Sequence, residues 1–316
     1  MDTTSEQRFQ ILALDGGGIK GLYSAAILAR LENDLGIDDI TSCFDLIVGT
    51  STGGIIALAL GYGLRPREIV QFYSQHGPKI FADGWLARKQ HYVRRKYSQN
   101  PLRAALQKCL GDRRLADSHK RLVIPSYNLD KGEVYLFKTP HHERLRRDWK
   151  EPMWKVALAT SAAPTYFPAF QGIDHIRLID GGLWANNPTM IGIVEAMAVL
   201  NQPLSAISVL SLGTTDPIEE KPAGLTEGGM FAWRSAAVDA CFRGQSHGVQ
   251  GQAKLLLGED RAVRLDPAVP AGVFALDRVA EERLLAEAAH VSRDFAPRFE
   301  RQFVSHVAPA FTAIYS

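Results

Sequence analysis

The chain has 316 residues, of which 46% are hydrophobic and 22% are charged, and its formal net charge at pH 7 is +2. This composition excludes a disordered chain and a strongly basic nucleic-acid binder, and it is typical of one large globular domain. No run approaches the roughly 18–20 apolar residues of a membrane span. The polar start lacks the apolar core of a secretory signal, and the three cysteines show no metal-binding or disulfide spacing. We therefore expect a cytoplasmic protein that meets a membrane only from its surface.

The first sixty residues alternate between strand and helix patterns. The apolar run Phe9–Leu14 predicts a strand, and apolar residues at helical spacing up to Leu35 predict a helix that Gly36 ends. A second strand is predicted at residues 44–48, and a second, mostly apolar helix at residues 52–60. This order is typical of a mainly parallel sheet covered by helices, so the predicted fold class is α/β.

The rest of the chain continues this pattern and then changes. Residues 214–229 contain two prolines and three glycines among acidic residues, which predicts a mobile loop. Beyond them the pattern is mostly helical, so we expect a core at 1–213, followed at 214–316 by a loop and a helical C-terminal extension packed on the same domain. Further strands are predicted at 122–124, 134–137, 176–179 and 207–212, and helices at 154–161, 188–200 and 279–293.

A glycine-rich turn follows the first strand, where residues 15–21 read Asp-Gly-Gly-Gly-Ile-Lys-Gly. Adjacent glycines let backbone N–H groups turn inward at the mouth of a helix, where the helix dipole favours an anion. The same glycines also satisfy the dinucleotide pattern G-x-G-x-x-G. However, the acidic candidates Asp38 and Asp39 precede the second strand, whereas a ribose-binding acid normally ends it. On the glycines alone, a plain turn, a nucleotide site and an oxyanion site stay open.

A second turn, Gly-Thr-Ser-Thr-Gly at residues 49–53, joins the second strand to the second helix. Glycine on each side of Ser51 permits a strained backbone that pushes the serine hydroxyl out of the turn, as a nucleophile requires. The alternative role for Ser51 is that of a helix N-cap. Taken with the glycine-rich turn, which can supply N–H groups to an oxyanion, the pattern favours acyl hydrolysis.

The sequence offers two kinds of proton acceptor for Ser51. Asp180 ends the predicted strand 176–179, and the carboxyl ends of parallel strands collect catalytic groups at one edge, here with Asp15 and Ser51. A partly buried carboxylate would have a raised pKa and would be a better base. Alone, Asp-Gly-Gly is more typical of a turn. A conventional Ser-His-Asp arrangement stays open, with the downstream candidates His247, His290 and His306.

The set of motifs resembles the patatin-like phospholipases. The resemblance rests on the turns at 15–21 and 49–53, on Asp180-Gly-Gly, and on Ala-Thr-Ser-Ala-Ala-Pro-Thr-Tyr-Phe-Pro at 159–168, and it covers roughly residues 9–213. It implies a three-layer α/β/α fold and lipid acyl hydrolysis without a metal or an organic cofactor. Lys20 stands where the family often has arginine.

The same resemblance implies roles for individual residues. Ser51 would be the nucleophile and Asp180 the base, in a dyad without histidine. The oxyanion would be held by backbone N–H groups of Gly16, Gly17, Gly18 and Thr52. Two other interpretations stay open, namely a carboxylesterase with a histidine base and a nucleotide-binding sensor with a vestigial hydrolase site.

A narrower similarity is to the patatin-like effectors of anti-phage cyclic-oligonucleotide signalling, and it rests on Phe-Lys-Thr-Pro-His-His-Glu at 137–143 ahead of Asp148 and Trp149. It implies a cyclic dinucleotide activator and a membrane phospholipid substrate at the inner membrane. A nucleic-acid polymer is not expected as a partner, because the net charge is low. A homo-oligomer is an open alternative. The residues that could serve a phosphate-rich ligand, or form a solvated surface, are Tyr135, Lys138, His141, His142, Arg144, Arg146 and Arg147.

Two segments are candidates for contact with the substrate or the membrane. The loop at 214–229 is a candidate gate over the site, on its composition alone. A dense basic run could touch anionic headgroups, with an exposed helix face as the alternative. This run consists of Arg88, Lys89, His91, Arg94, Arg95 and Lys96, with Trp85 and Tyr92 nearby.

Overall fold

A computed structural model of the chain describes residues 8–81, 97–218, 225–227, 229–270, 274–275 and 278–316. The basic run at 88–96 lies outside the described residues. The strands in the described ranges are β1 (Phe9–Leu14), β2 (Leu46–Gly49), β3 (Arg121–Asn128), β4 (Glu133–Lys138), β5 (Leu178–Asp180), β6 (Ile207–Leu212), β7 (Asp216–Ile218), β8 (Ala262–Leu265), β9 (Ala268–Pro270), β10 (Phe274–Ala275) and β11 (Arg278–Val279).

The central sheet has the order β4-β3-β2-β1-β6-β8 among the described strands, and β5 joins it by pairing with β3. Its five strands β1, β2, β3, β6 and β8 pair in parallel. β4 and β5 both run antiparallel to β3. The sheet is therefore mainly parallel, as the alternating pattern predicted.

Helices cover the sheet on both faces. They are α1 (Gly21–Leu35), α2 (Thr52–Tyr62), α3 (Pro66–Ile80), α4 (Asn100–Leu110), α5 (Met153–Thr160), α6 (Gly182–Ala185), α7 (Thr189–Ala198), α8 (Met230–Leu257) and α9 (Glu281–Phe299), and a π-helical turn follows at Glu300–Val304. Within the described ranges, every helix is too short or too polar to cross a bilayer.

The residues of β1 show why the fold has three layers. Successive side chains of a strand point to opposite faces. Leu12 and Leu14 lie in one apolar core with α1, α2 and α9, whereas Ile11 and Ala13 lie in a second core with α7 and α8. The predicted three-layer α/β/α architecture is therefore confirmed.

The C-terminal extension contains a strand that the sequence did not reveal. β8 pairs in parallel with β6, so the sheet itself crosses the predicted boundary after residue 213. The predicted loop at 214–229 begins with β7, which pairs with β9. The extension is helical as expected in α8 and α9, and α9 adds to the same apolar core as α1.

Candidate active site

The turn at 49–53 has the strained geometry that a nucleophile elbow requires. Ser51 has φ 54° and ψ −120°, a backbone that L-residues rarely adopt. A Cβ at Gly49 would overlap the carbonyl oxygen of Gly53, and a Cβ at Gly53 would overlap that of Leu14. Only glycine fits at both positions. The Ser51 side chain makes no capping hydrogen bond to the helix that it precedes, so the N-cap alternative is not the one that the structure adopts.

The turn is held from below by a threonine. The Ser51 N–H donates to the Thr160 hydroxyl at 2.9 Å, and that hydroxyl donates to the Pro125 carbonyl at 2.5 Å. Thr160 ends α5 and Pro125 lies in β3, so two elements fix the position of the serine backbone. The Ser51 N–H is therefore engaged in a structural hydrogen bond to Thr160.

Asp180 accepts a hydrogen bond from the Ser51 hydroxyl. Ser51 Oγ donates to Asp180 Oδ2 at 2.6 Å, and the Gly182 N–H donates to Asp180 Oδ1 at 2.7 Å. Ser51 and Asp180 are 9% and 6% exposed. Burial raises the pKa of Asp180 to about 6, against the smaller lowering effects of the hydrogen bonds from Ser51 and Gly182. The carboxylate is thus ionised at neutral pH and more basic than an exposed aspartate.

The two residues meet for a reason different from the predicted one. β5 is antiparallel to β3, so the expectation that Asp180 ends a parallel strand is wrong. β2 pairs with β3 up to Val123, and β5 pairs with the same edge of β3 from Ser126 onward, because β4 occupies the other edge. β2 and β5 therefore run toward each other along one edge. Their carboxyl ends meet at Ser51 and Asp180.

The glycine-rich turn lies beside Ser51. A Cβ at Gly16 would lie 3.2 Å from the Ser51 Cβ, and Gly18 has φ 61° in the left-handed region. The Gly16 N–H already donates to the Asn186 carbonyl at 3.0 Å. Gly16 is therefore wrongly predicted as an oxyanion donor, because its N–H is committed to the chain itself. Gly17, Gly18 and Thr52 stay predictions in that role.

Thr52 begins α2, and the first N–H groups of a helix have no carbonyl partner within it. Its side chain takes no part in this, because the Thr52 hydroxyl is hydrogen-bonded to the Tyr73 hydroxyl. Thr52 directly follows Ser51 in the chain, so its backbone N–H lies at the positive end of the α2 dipole and next to the nucleophile. This position suits a negative charge that forms on a substrate carbonyl.

A buried ion pair that the sequence did not predict holds the start of the glycine-rich turn. Arg264 of β8 donates from Nη2 to Asp15 Oδ2 at 2.7 Å and from Nη1 to Oδ1 at 3.3 Å. It also donates to Asp266 Oδ2 at 2.6 Å and to Ser211 Oγ at 2.8 Å. Burial raises the pKa of Asp15 to about 6, although Arg264 lowers it. The one sequence signal was an arginine inside the apolar run of β8.

The first residues of the predicted gate lie against the glycine-rich turn. The Thr214 hydroxyl donates to the Gly16 carbonyl at 3.1 Å, and a Cβ at Gly17 would overlap the Thr214 side chain. Lys20 Nζ donates to the Thr215 carbonyl at 3.2 Å. Residues 219–224 and 228 lie outside the described residues, so the gate stays a prediction.

Each of the three candidate histidines has a carboxylate partner other than Asp180. His306 Nε2 lies 2.7 Å from Asp45 Oδ2, at the amino end of β2 and so at the sheet edge opposite Ser51. The other two lie in helices of the extension, where His247 is 3.5 Å from Asp216 and His290 is 3.7 Å from Asp294. The contact with Asp180 thus favours the two-residue arrangement over a triad.

The charged set at 135–147 is largely committed to internal contacts. Lys138 and His141 both reach the buried Glu195, at 2.5 Å and 2.9 Å. Arg147 lies over the ring of Tyr135 and pairs with Asp148 at 2.9 Å. These contacts favour a structural role for Tyr135, Lys138, His141 and Arg147. Among the described residues, no group of histidine, cysteine, aspartate and glutamate side chains could hold a metal ion.

The family model described as "Patatin-like phospholipase" matches residues 12–193, which include both turns and Asp180. The chain belongs to this family. The patatin-like phospholipases are hydrolases, so the class of enzyme follows from membership.

Similar proteins are found in bacteria. A Pseudomonas aeruginosa protein named cGAMP-activated phospholipase is 34% identical over 278 residues, which are 86% of this chain and 83% of that protein. A Vibrio cholerae protein of the same name is 35% identical over 230 residues, which are 66% and 65%. Among solved structures, VipD from Legionella pneumophila aligns over 95% of this chain and 76% of its own at 11% identity, with a TM-score of 0.39.

Proposed function

We propose that this patatin-like phospholipase hydrolyses the fatty-acyl esters of membrane glycerophospholipids, as a phospholipase A, with Ser51 as nucleophile and Asp180 as base. The observation that carries the proposal is the 2.6 Å hydrogen bond from Ser51 Oγ to Asp180 Oδ2. It puts an ionised, buried carboxylate in reach of a hydroxyl on a strained turn, which is the arrangement that activates a serine.

In the first half of the reaction, Ser51 Oγ attacks the ester carbonyl carbon while Asp180 accepts the hydroxyl proton. The C–O bond to the glycerol then breaks, and the lysolipid leaves as an alcohol after taking that proton from Asp180. In the second half, water gives a proton to Asp180 and attacks the acyl-serine. The fatty acid leaves, and Ser51 regains its proton.

The oxyanion formed in both halves is held by the backbone N–H groups of Gly17, Gly18 and Thr52. The close approach of the glycine-rich turn to Ser51 and the helix N-terminus at Thr52 support this. Losing one such donor typically lowers kcat by about 10²–10³. Asp180 as a general base would account for a further factor of about 10²–10⁴.

The relatives named cGAMP-activated phospholipase support a proposal about regulation. We propose that a cyclic dinucleotide activates this protein and that it degrades the cell's own phospholipids at the inner membrane as a defence against phage. The enzyme would act from the cytoplasm, at the membrane surface.

The test is hydrolysis of phosphatidylglycerol–phosphatidylethanolamine vesicles with and without cGAMP. We expect Ser51→Ala and Asp180→Asn to lose released fatty acid by at least a hundredfold while keeping the circular dichroism of the wild type. Asp45→Asn is the matched control, because Asp45 is equally buried and hydrogen-bonded but lies at the opposite sheet edge.

Retained hydrolysis in Ser51→Ala or Asp180→Asn would remove that residue from its role. Failure of a fluorophosphonate probe to label Ser51 in the wild type would instead favour a nucleotide sensor with a vestigial site. Equal hydrolysis with and without cGAMP would remove the activation and leave the hydrolase.

A further inference from the structure

A cavity lies far from Ser51, at the end of the central sheet where its parallel strands begin. It is an open cleft of about 570 Å³, within the range of about 300–1,000 Å³ that is usual for small-molecule sites. It is lined by the amino ends of β1, β6 and β8 and by the π-helical turn at Glu300–Val304. A strand as long as β1, at about 3.3 Å per residue, separates it from the glycine-rich turn by about 20 Å.

The cleft is basic. Arg8, Arg261 and Arg301 line it, against one carboxylate, Asp260. Within the part of the chain that the structure describes, none of the three guanidinium groups forms an ion pair with a carboxylate. A ligand that brings negative charge would therefore meet arginines whose charge is not already neutralised by a neighbour.

The contacts of these arginines leave donors for a ligand. Arg261 uses Nη1 alone, in hydrogen bonds to the carbonyls of Leu204, Ser205 and Ile207. Arg8 uses Nη1 toward the Ser305 hydroxyl. Since a guanidinium carries five N–H donors, most remain for other acceptors. The hydroxyl-bearing Ser205 and Ser208 line the same cleft and add neutral donors.

We propose that this cleft binds the nucleotide activator through its phosphate groups, with Arg8, Arg261 and Arg301 as the ligands of a cyclic dinucleotide. Arginine forks match phosphate oxygens bidentately, and several arginines around one cleft suit a ligand with two phosphates. The inference rests on the proposed activation by a cyclic dinucleotide and adds its site. It also replaces the charged set at 135–147 as the candidate phosphate site, because four of its seven members contact Glu195 or Asp148.

The fold offers a direct connection from this cleft to the reaction centre. β1 begins in the cleft and leads to Asp15. Arg261 immediately precedes β8, and β8 carries Arg264, the partner of Asp15. A ligand that pulls on Arg261 therefore acts on the strand that holds the glycine-rich turn. Regulation would reach the oxyanion donors without any contact between activator and lipid.

The experiment measures cGAMP binding by titration calorimetry to the 316-residue chain carrying Ser51→Ala, which removes the proposed nucleophile. Arg301→Gln and Arg8→Gln are then introduced singly and together, with Arg103→Gln as the control, because Arg103 is an exposed arginine on α4. Arg261 is left intact because it also holds backbone carbonyls. Loss of a charge-assisted hydrogen bond should raise Kd about tenfold or more for each cleft variant.

The same substitutions are made in the otherwise wild-type enzyme. Arg301→Gln should leave basal hydrolysis of p-nitrophenyl butyrate unchanged and raise the cGAMP concentration for half-maximal lipid release by the same factor. Arg103→Gln should change neither quantity. Inorganic pyrophosphate is used as a competitor at the concentration of cGAMP.

Weaker cGAMP binding in the cleft variants alone would support the inference. Unchanged binding in the double variant would overturn it while leaving activation intact. No binding of cGAMP, c-di-GMP or c-di-AMP to any variant would overturn both the site and the activation, and hydrolysis by the wild type would still stand. Competition by pyrophosphate as strong as by cGAMP would show a site for free phosphate and overturn the nucleotide assignment.

Discussion

Ser51 is held in a conformation that serves the reaction at the expense of stability. Its φ of 54° lies where a side chain is strained, at a typical cost of about 1–3 kcal/mol. The surrounding glycines and the hydrogen bond to Thr160 compel this conformation. Strain at this residue therefore belongs to the way in which the hydroxyl is presented to Asp180.

The strain can be measured by comparing two variants that both lack the hydroxyl. We expect Ser51→Gly to be more stable than Ser51→Ala by about 1 kcal/mol, because the relief of strain exceeds the roughly 0.5–1 kcal/mol of extra backbone entropy that glycine loses on folding. Denaturant unfolding monitored by fluorescence gives the difference. At Ser24, which is buried in α1, the same pair should show the reverse order. A glycine variant less stable than alanine at both positions would exclude strain at Ser51.

The raised pKa of Asp180 predicts how activity depends on pH. Its pKa of about 6 means that the carboxylate is protonated below this pH and can no longer accept the Ser51 proton. We expect kcat/KM for p-nitrophenyl butyrate to be level above about pH 7 and to fall about tenfold per pH unit well below pH 6. The steady-state rate between pH 4.5 and 8 measures this.

Titration of Asp15 could produce the same fall in activity, because its pKa is also about 6, so a variant of Asp15 serves as the control. In Asp15→Asn the acid limb should persist with the same midpoint, because Asp15 contacts Arg264 and not Ser51. Disappearance of the limb in that variant would assign it to Asp15 instead of Asp180.

At the scale of elements, the site depends on how strands are paired. β2 and β5 approach each other along one edge of β3, and β8 supplies Arg264 from the far end of the chain. The sequence predicted β1 and β6 with their observed bounds, since both are apolar on two faces, as buried parallel strands are. It could not give the direction of β5, because pairing is a tertiary property of a three-residue strand.

Some residues of the candidate site could be predicted from the sequence, and others could not. Ser51 and Asp180 were predictable because a glycine-flanked serine and an Asp-Gly-Gly turn follow apolar runs. Arg264 was not, because β8 has four residues and its charge interrupts the apolar pattern that reveals a strand. The hydrogen bond from the Gly16 N–H to the Asn186 carbonyl could not be predicted either, because the two residues are far apart in the sequence.

The Asp15–Arg264 ion pair predicts a pH-dependent loss of stability when its arginine is replaced. Arg264→Gln leaves Asp15 buried without its cation, so we expect a loss of about 3–5 kcal/mol in the free energy of unfolding at pH 8. Removing Arg264 raises the pKa of Asp15 further above its unfolded value, and stability from such a group is present at low pH and lost as pH rises. The loss should therefore be smaller at pH 5. Denaturant unfolding at the two pH values measures it.

A double variant provides the comparison. Asp15→Asn combined with Arg264→Gln should recover part of the stability at pH 8, because no uncompensated charge remains. Equal losses at pH 5 and pH 8 in the single variant, with no recovery in the double one, would mean that Arg264 acts only through its packing and its contact with Asp266.

At the scale of the whole molecule, the C-terminal extension and the N-terminal core share one interior. Phe299 of α9 is fully buried, and its ring lies 6.4 Å from that of Phe44, which precedes β2. It also stacks on Phe303 at 5.3 Å. The interior thus joins the segment that leads to Ser51 with the last helix of the chain.

This shared interior predicts that the active site and the extension unfold together. Phe299→Ala should lower the free energy of unfolding by about 3–5 kcal/mol through the cavity it leaves. Fluorophosphonate labelling of Ser51 and the helical circular dichroism, to which α8 and α9 contribute, should shift together in one transition across the same denaturant series. Leu255→Ala is the control and should shift neither, because Leu255 is 89% exposed on α8. If Phe299→Ala moved the circular dichroism transition and left Ser51 labelling at its wild-type midpoint, the extension would be a separate folding unit and the predicted boundary after residue 213 would be a domain boundary.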